Sequence, residues 1–288
     1  MFMNLIFVNP PPDHPEFIEG MEKAAAILDA AIYDPITVNI LVGYGGAFGD
    51  LTSQGSAIGG PFAGIPVPYP ALYATLWLND TNSVKGLPLA TTLDGREFFS
   101  VSTAQAKAFG WISGSLPIPD GHVDMGKDWT GTGLIDAAVH ELTHAMGRID
   151  AYGPLLSSLD LFRYDETNGS HVFDTGKPAT PAYFSMDGGN TKLADFGITS
   201  DPGDFLNGGV QDGGLGGADD PFDEEGPTTT GLGTLTNADL QIMDAIGFRD
   251  AFSNPFEPQS VLPVSVGGAA TLSHQFCGRT IPPPPPTS

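Results

Sequence analysis

The sequence predicts an α+β protein. Helices and a twisted mixed sheet form an upper part, about residues 1–147, and a largely irregular lower part follows, about residues 148–250. Three observations predict this. Apolar residues recur with a helical period in 17–31 and 134–147, residues 37–45 alternate as a strand does, and 151–235 is dense in Gly and Asp with neither period. A Pro-rich extension, 251–288, ends in PPPPPTS and reads as polyproline-like and partly disordered.

The elements follow in order. In FIEGMEKAAAILDAA, residues 17–31, the side chains of Phe17, Met21, Ala24, Ala25 and Leu28 share one helical face, and Asp34-Pro35 stops the run. TVNILVGYG, 37–45, puts Val38, Ile40 and Val42 on one side of a strand. Residues 46–70, rich in Gly, Ser and Pro, read as a long surface excursion. PALYATLW, 70–77, fits a short helix with Pro at its first position. Ser102 or Thr103 caps a helix through AQAKAFG, and short strand and turn segments surround GHVDMG at 121–126. The next helix has Thr132 as its cap, and Leu134, Ala138, Leu142 and Ala145 form an apolar stripe that Ile135, Val139 and Met146 widen. Gly147 suits the left-handed residue that ends it. A last helix is expected at 235–246, with Thr236 and Asp239 as a capping box.

Composition narrows the function classes. Against 34 acidic side chains stand 11 basic ones, a net charge of −23. Such a field disfavours nucleic acid, whose phosphates need Lys and Arg, and disfavours anionic membranes. A single cysteine, Cys277, forms no intrachain disulfide and no cysteine-based zinc site. No stretch reaches transmembrane length, and the opening MFMNLIFVNPPPDHPEF lacks the basic region of a Sec signal. The expectation is a secreted or cell-associated protein without a recognisable Sec signal, with a cytoplasmic location also compatible. Oligomeric state is not legible.

The chemistry concentrates on the helix near 134–147. His140 and His144 are four residues apart, so both imidazoles lie on one side of it, one turn apart, with Leu142 roughly opposite. Two neutral imidazoles at that spacing can chelate one zinc ion. Glu141, beside the first, can accept the proton of a zinc-activated water that attacks a peptide carbonyl, and can pass it to the leaving nitrogen. None of the other four histidines, His14, His122, His171 and His274, repeats this spacing.

The run HELTHAMGRID extends the pattern, and with it the sequence resembles the metzincin clan of zinc endopeptidases. In that clan HExxHxxG is followed by a third ligand, usually His and, in snapalysin-like members, Asp. The resemblance implies a metzincin-like zincin fold, with His140, His144 and Asp150 as zinc ligands and Glu141 as general base. Asp160, Asp136 and His171 compete with Asp150 for the third-ligand place. The resemblance also implies a methionine turn beneath the metal, which AYFSMDGG offers as Met186. The tyrosine that often follows two residues later is Gly188 here, leaving Tyr183, Tyr164 and Tyr152 as candidates for an oxyanion-stabilising hydroxyl. Residues 35–250 as a whole resemble a group of bacterial secreted-type metalloproteases.

The partner so implied is a protein or peptide substrate, pairing in extended form with an edge strand, for which GHVDMG at 121–126 is the candidate rim. DGGLGGADDPFDEE, 212–225, partly resembles one calcium-binding GGxGxD unit, and SDPGDF, 200–205, is a second acid cluster, so Ca2+ joins Zn2+ among the candidate ions. The rival function is a non-catalytic adhesion or toxin-associated module that retains a protease-like fold.

Overall fold

The chain opens with a strand, β1 (Phe2–Phe7), followed by α1 (Pro15–Ala31) and β2 (Thr37–Tyr44). The structure is a computed structural model and describes residues 1–49, 51–79, 83–152, 155–173, 179–199, 201–207, 220–224 and 233–250. All belong to the unit Met1–Pro255, and the rest of the Pro-rich extension, with Cys277 and His274, lies outside the described residues. Pro15 sits in the first turn of α1, where its missing N–H has no helical partner to lose. The predicted face, Phe17, Met21, Ala24, Ala25 and Leu28, is buried.

Next come β3 (Ala57–Pro61), β4 (Gly64–Pro68), α2 (Tyr69–Asn79), β5 (Phe98–Ser102), α3 (Thr103–Ala108), β6 (Gly121–Met125) and α4 (Gly131–Met146). The main sheet has the order β1-β2-β6-β3. β1, β2 and β6 run parallel, and β3 pairs antiparallel to β6, from Ala57 opposite Met125 to Pro61 opposite Gly121. The sheet is therefore mixed, as expected, with the antiparallel strand at one edge.

Two expectations need correction. Residues 46–70 are not one surface excursion: they contain β3 and β4. The Gly-rich AIGGP looks loop-like because its glycines serve close packing rather than a turn. A Cβ on Gly59 would collide with the Glu141 carbonyl, and one on Gly121 would lie 2.6 Å from the Ala145 carbonyl oxygen. These glycines let α4 lie directly on the sheet. The second correction concerns GHVDMG. As β6 it is hydrogen-bonded to β2 on one side and β3 on the other, so it has no free edge. The open rim is β3.

α4 is anchored as its stripe predicts, with Leu134, Ala138, Leu142 and Ala145 essentially inaccessible. Leu134 meets α1 at Gly20, where a Cβ would lie 3.0 Å from its Cγ. The far end of α4 is tied by the α3 capping box. Ser102 Oγ accepts from the Gln105 N–H at 3.0 Å and donates to the Met146 carbonyl. The Gln105 amide nitrogen continues to Ser158 Oγ (2.6 Å) and the Ile246 carbonyl (2.9 Å).

Beyond α4 the regular elements are short: β7 (Ala151–Tyr152), β8 (Leu155–Leu156), β9 (Arg163–Asp165), β10 (Ala182–Phe184), β11 (Ala194–Asp195) and α5 (Asn237–Ala245). β11, β10 and β9 form a small antiparallel sheet. Loops dominate, yet they close over a buried aromatic cluster that includes Phe184, Phe196, Phe205 and Phe222. Thr236 and Asp239 form the capping box expected for α5.

Candidate metal centre

Thr130, not Thr132, takes the N-cap position of α4, because the helix starts at Gly131. The helix ends at Gly147, whose φ of +127° is open chiefly to glycine and whose N–H bonds back to the Thr143 and His144 carbonyls. This turn sends Arg148 back along the histidine face.

His140 and His144 point their Nε2 atoms at each other, 2.8 Å apart. Each Nδ1 faces a carbonyl: Pro221 at 2.7 Å for His140 and Arg148 at 2.5 Å for His144. A carbonyl can only accept, so the hydrogen-bond network assigns the proton to each Nδ1 and leaves the Nε2 lone pairs facing inward, the tautomer that metal-binding histidines adopt. Asp204 adds a third donor atom, its Oδ1 lying 3.3 Å from His140 Nε2 and 3.0 Å from His144 Nε2. Ligand atoms held tetrahedrally at zinc bond lengths of about 2.0–2.1 Å lie about 3.3 Å apart. Three inward lone-pair atoms at 2.8–3.3 Å therefore fit one zinc ion.

The electrostatics of His140, Asp204 and Glu141 agree, while at His144 burial and Arg148 are outweighed by Asp204, which raises the pKa, so an ion there would displace a proton. Burial pushes the His140 pKa down to about 3, so this imidazole stays neutral with its nitrogen free to ligate. Burial raises Asp204, but His140, His144 and Arg148 outweigh it and hold the carboxyl well below its usual range, as an anion. Glu141 belongs to the same cluster, with His140 and His144 offering ligand atoms within 4.8 Å of it and of one another. Burial pushes its pKa up to about 7, partly offset by His144 and Arg148, which suits a proton acceptor working near neutrality. The triad His140–Glu141–His144 on α4 thus matches a zinc-binding site of the HExxH type, consistent with a zincin-like active-site helix.

Arg148 holds this arrangement together. It is fully buried over the Phe222 ring at 4.2 Å. It donates to Thr143 Oγ1 (3.0 Å), the Gly203 carbonyl (2.9 Å) and Asp204 Oδ1 (3.0 Å), and its other terminal nitrogen approaches His144 Nε2 at 3.2 Å. The guanidinium links the helix to the loop that brings Asp204.

Asp150, the third ligand implied by resemblance, is placed differently. It lines a neighbouring cavity together with Asp201, and burial and Asp201 raise its pKa to about 6. The carboxylate that reaches the imidazoles is Asp204, within the SDPGDF cluster, because the chain returns to the site there after a long excursion. It stands 60 residues beyond His144, too far for spacing to flag.

Asp136, Asp160 and His171 have partners other than the imidazoles. Asp136 accepts from the Gly233 N–H, Asp160 from the Ser157 N–H at 2.8 Å, and His171 pairs with Asp94 at 2.7 Å. Met186 lies in the turn after β10, where Gly188 and Gly189 take φ of +77° and +81°, and it lines a cavity with Lys85, Leu193, Gln241 and Asp244. Tyr164 and Tyr183 face each other across β9 and β10, and the Tyr183 hydroxyl donates to the Gly189 carbonyl at 2.5 Å. The side chain of Tyr152, and most of the 212–225 segment considered for Ca2+, lie outside the described residues.

Compared with family profiles, curated proteins and solved structures, the chain has no match in any of the three. Among the described residues, no helix is long and apolar enough to cross a membrane.

Proposed function

We propose that the protein is a zinc-dependent endopeptidase of metzincin type, acting on protein or peptide substrates outside the cell or at its surface. The observation that carries this reading is the convergence of His140 Nε2, His144 Nε2 and Asp204 Oδ1 beside the buried carboxyl of Glu141. The two histidines would hold the ion, with Asp204 in the third-ligand place. A zinc ion held there would supply Lewis acidity toward a peptide carbonyl and would acidify the attacking water.

The chain's own residues do the rest. Glu141 takes the proton of that water and returns it to the departing amide nitrogen, a transfer suited to its raised pKa. Arg148 fixes the Asp204 carboxylate, and the Pro221 and Arg148 carbonyls fix the imidazole tautomers. The open edge of β3 runs beside this turn of the helix, with Gly59 packed on the Glu141 backbone. An extended substrate pairing with β3 would be aligned by backbone hydrogen bonds.

Cleavage of casein and of a mixed peptide library by wild-type protein, E141A and chelator-treated protein tests the reading, alongside zinc analysis. The expected result is stoichiometric zinc in wild type and E141A, with hydrolysis only in wild type. Stoichiometric zinc without any Glu141-dependent hydrolysis would reject it.

A further inference from the structure

A cavity of about 560 Å³ opens beside the metal centre, between the edge strand β3 and the segments that leave α4 and carry Asp204. Its size is that of a side-chain or ligand pocket, about 300–1,000 Å³. Two carboxylates, Asp150 and Asp201, line it, and among the described residues no cation does, although Arg163 acts on Asp150 from nearby. Ile58, Phe62 and Leu155 supply apolar wall. Ser100 also lines it, with only 1% of its surface exposed, and its Oγ is buried without a hydrogen-bond partner. An unsatisfied buried hydroxyl is costly unless a ligand completes it.

The cavity adjoins the site through shared segments of chain. Gly203 packs against Ile149, with a Cβ there 3.3 Å from the Ile149 Cα, so the 148–150 and 201–204 segments lie side by side. One end of the pair presents Asp204 to the imidazoles, and the other presents Asp150 and Asp201 to the cavity. Gly59 borders the cavity and also packs on Glu141. A peptide extended along β3 points alternate side chains to opposite faces, so one of them meets this cavity.

We propose that the cavity is a specificity pocket for a basic substrate side chain, Lys or Arg, whose charge is met by Asp150 and Asp201 and whose N–H groups bond Ser100 Oγ. The aliphatic stem lies along Ile58, Phe62 and Leu155, as long cationic side chains do on apolar surface. The inference rests on the peptidase reading for its substrate, and its test separates the two.

The probe is a set of Ala/Gly/Ser dodecapeptides, each with one Lys scanned through the positions, and a matched set with norleucine. Binding is measured by fluorescence anisotropy to the zinc-loaded full chain carrying Glu141→Gln, which leaves the peptides uncut. The Lys peptides are expected to bind roughly tenfold or more tightly than their norleucine counterparts at one or two positions. The preference should vanish in Asp150→Asn/Asp201→Asn, shrink in Ser100→Ala, and persist in Glu19→Gln, an exposed acid on α1. If the double variant does not fold, Asp201→Asn carries the test alone. Among the described residues its Oδ1 accepts the Gly203 N–H, at 2.9 Å, which Asn can still accept.

Equal binding of the two sets, including no binding by either, overturns the proposal, and so does a preference that survives removal of both carboxylates. In parallel with wild type, Glu141-dependent hydrolysis without a basic preference overturns the pocket and keeps the peptidase. Selective Lys binding without hydrolysis keeps the pocket and removes the peptidase.

Discussion

Glu141 and its neighbours divide their labour by environment. His140 is held neutral by burial, Asp204 is held anionic by the imidazoles and Arg148, and Glu141 is left near pKa 7. The two aspartates near the site are separable by experiment. Asp204→Asn replaces the oxygen that lies 3.0 Å from His144 Nε2 by a neutral amide, whereas Asp150→Asn changes a side chain that lines the adjoining cavity. We expect Asp204→Asn to weaken zinc binding by more than the roughly 10–100-fold typical of an outer partner. Asp150→Asn should leave it unchanged. Competition with a chromophoric chelator measures both, and a large loss in Asp150→Asn with none in Asp204→Asn would reverse the assignment. The helix-borne part of the site was legible because its spacing is local: His140, Glu141 and His144 face one way on any helix. Asp204 was not, because tertiary return of the chain, not spacing, brings it there. Its only sequence signal was the acid cluster SDPGDF. Arg148 carries no signal of its role in the sequence, because only the Gly147 turn brings it to Asp204.

At the scale of elements, the contact that matters most is α4 on β3. Gly59 has no side chain because the Glu141 carbonyl occupies that space. Gly59→Val must push the strand from the helix, and overpacking of this kind costs roughly 1–3 kcal/mol. It should also displace both the Glu141 turn and the strand edge proposed to pair with substrate. The expected result is a lower melting temperature together with a fall in kcat/KM larger than that of Gly60→Val, since a Cβ on Gly60 meets nothing within 4 Å. Equal effects of the two variants would deny the helix–strand contact its role. This contact also explains where sequence reading succeeded and failed. α1, β2, α2, α3, α4 and α5 announce themselves through periodicity and caps, down to the Thr236–Asp239 box. β3 hides because glycine packing erases the alternation that marks a strand. β1 hides because a short apolar opening has the composition of many things and becomes a strand only by pairing with β2. β6 has the right composition for a rim, but a strand's place in a sheet is set by its neighbours.

At the scale of the whole molecule, the metal centre joins parts of the chain that are far apart in sequence. α4 supplies the histidines, the 201–207 loop supplies Asp204, and the 220–224 loop supplies the Pro221 carbonyl and Phe222 beneath Arg148. An ion bound across these segments stabilises the fold by mass action, about 2.7 kcal/mol at a free concentration 100 times the Kd. For a domain of this size each kcal/mol raises Tm by roughly 2–4 °C, so zinc should raise Tm by roughly 5–10 °C. The increment depends on pH through His144. Burial and Arg148 lower its pKa, but the Asp204 carboxylate outweighs them and sets it above the ordinary 6.5 in the metal-free protein. Metal-free, a folded-state pKa above the unfolded value means that the protonated His144–Asp204 pair stabilises the fold fully below pH 6.5 and loses that contribution as pH rises through the folded pKa. Zinc, in turn, must displace this proton to bind. Both effects act in the same direction, so the Tm difference between zinc-loaded and chelated protein should be small below pH 6.5 and widen above it. Paired melting curves across that range measure it. A difference that narrows with rising pH would show that the ion is not held at these imidazoles.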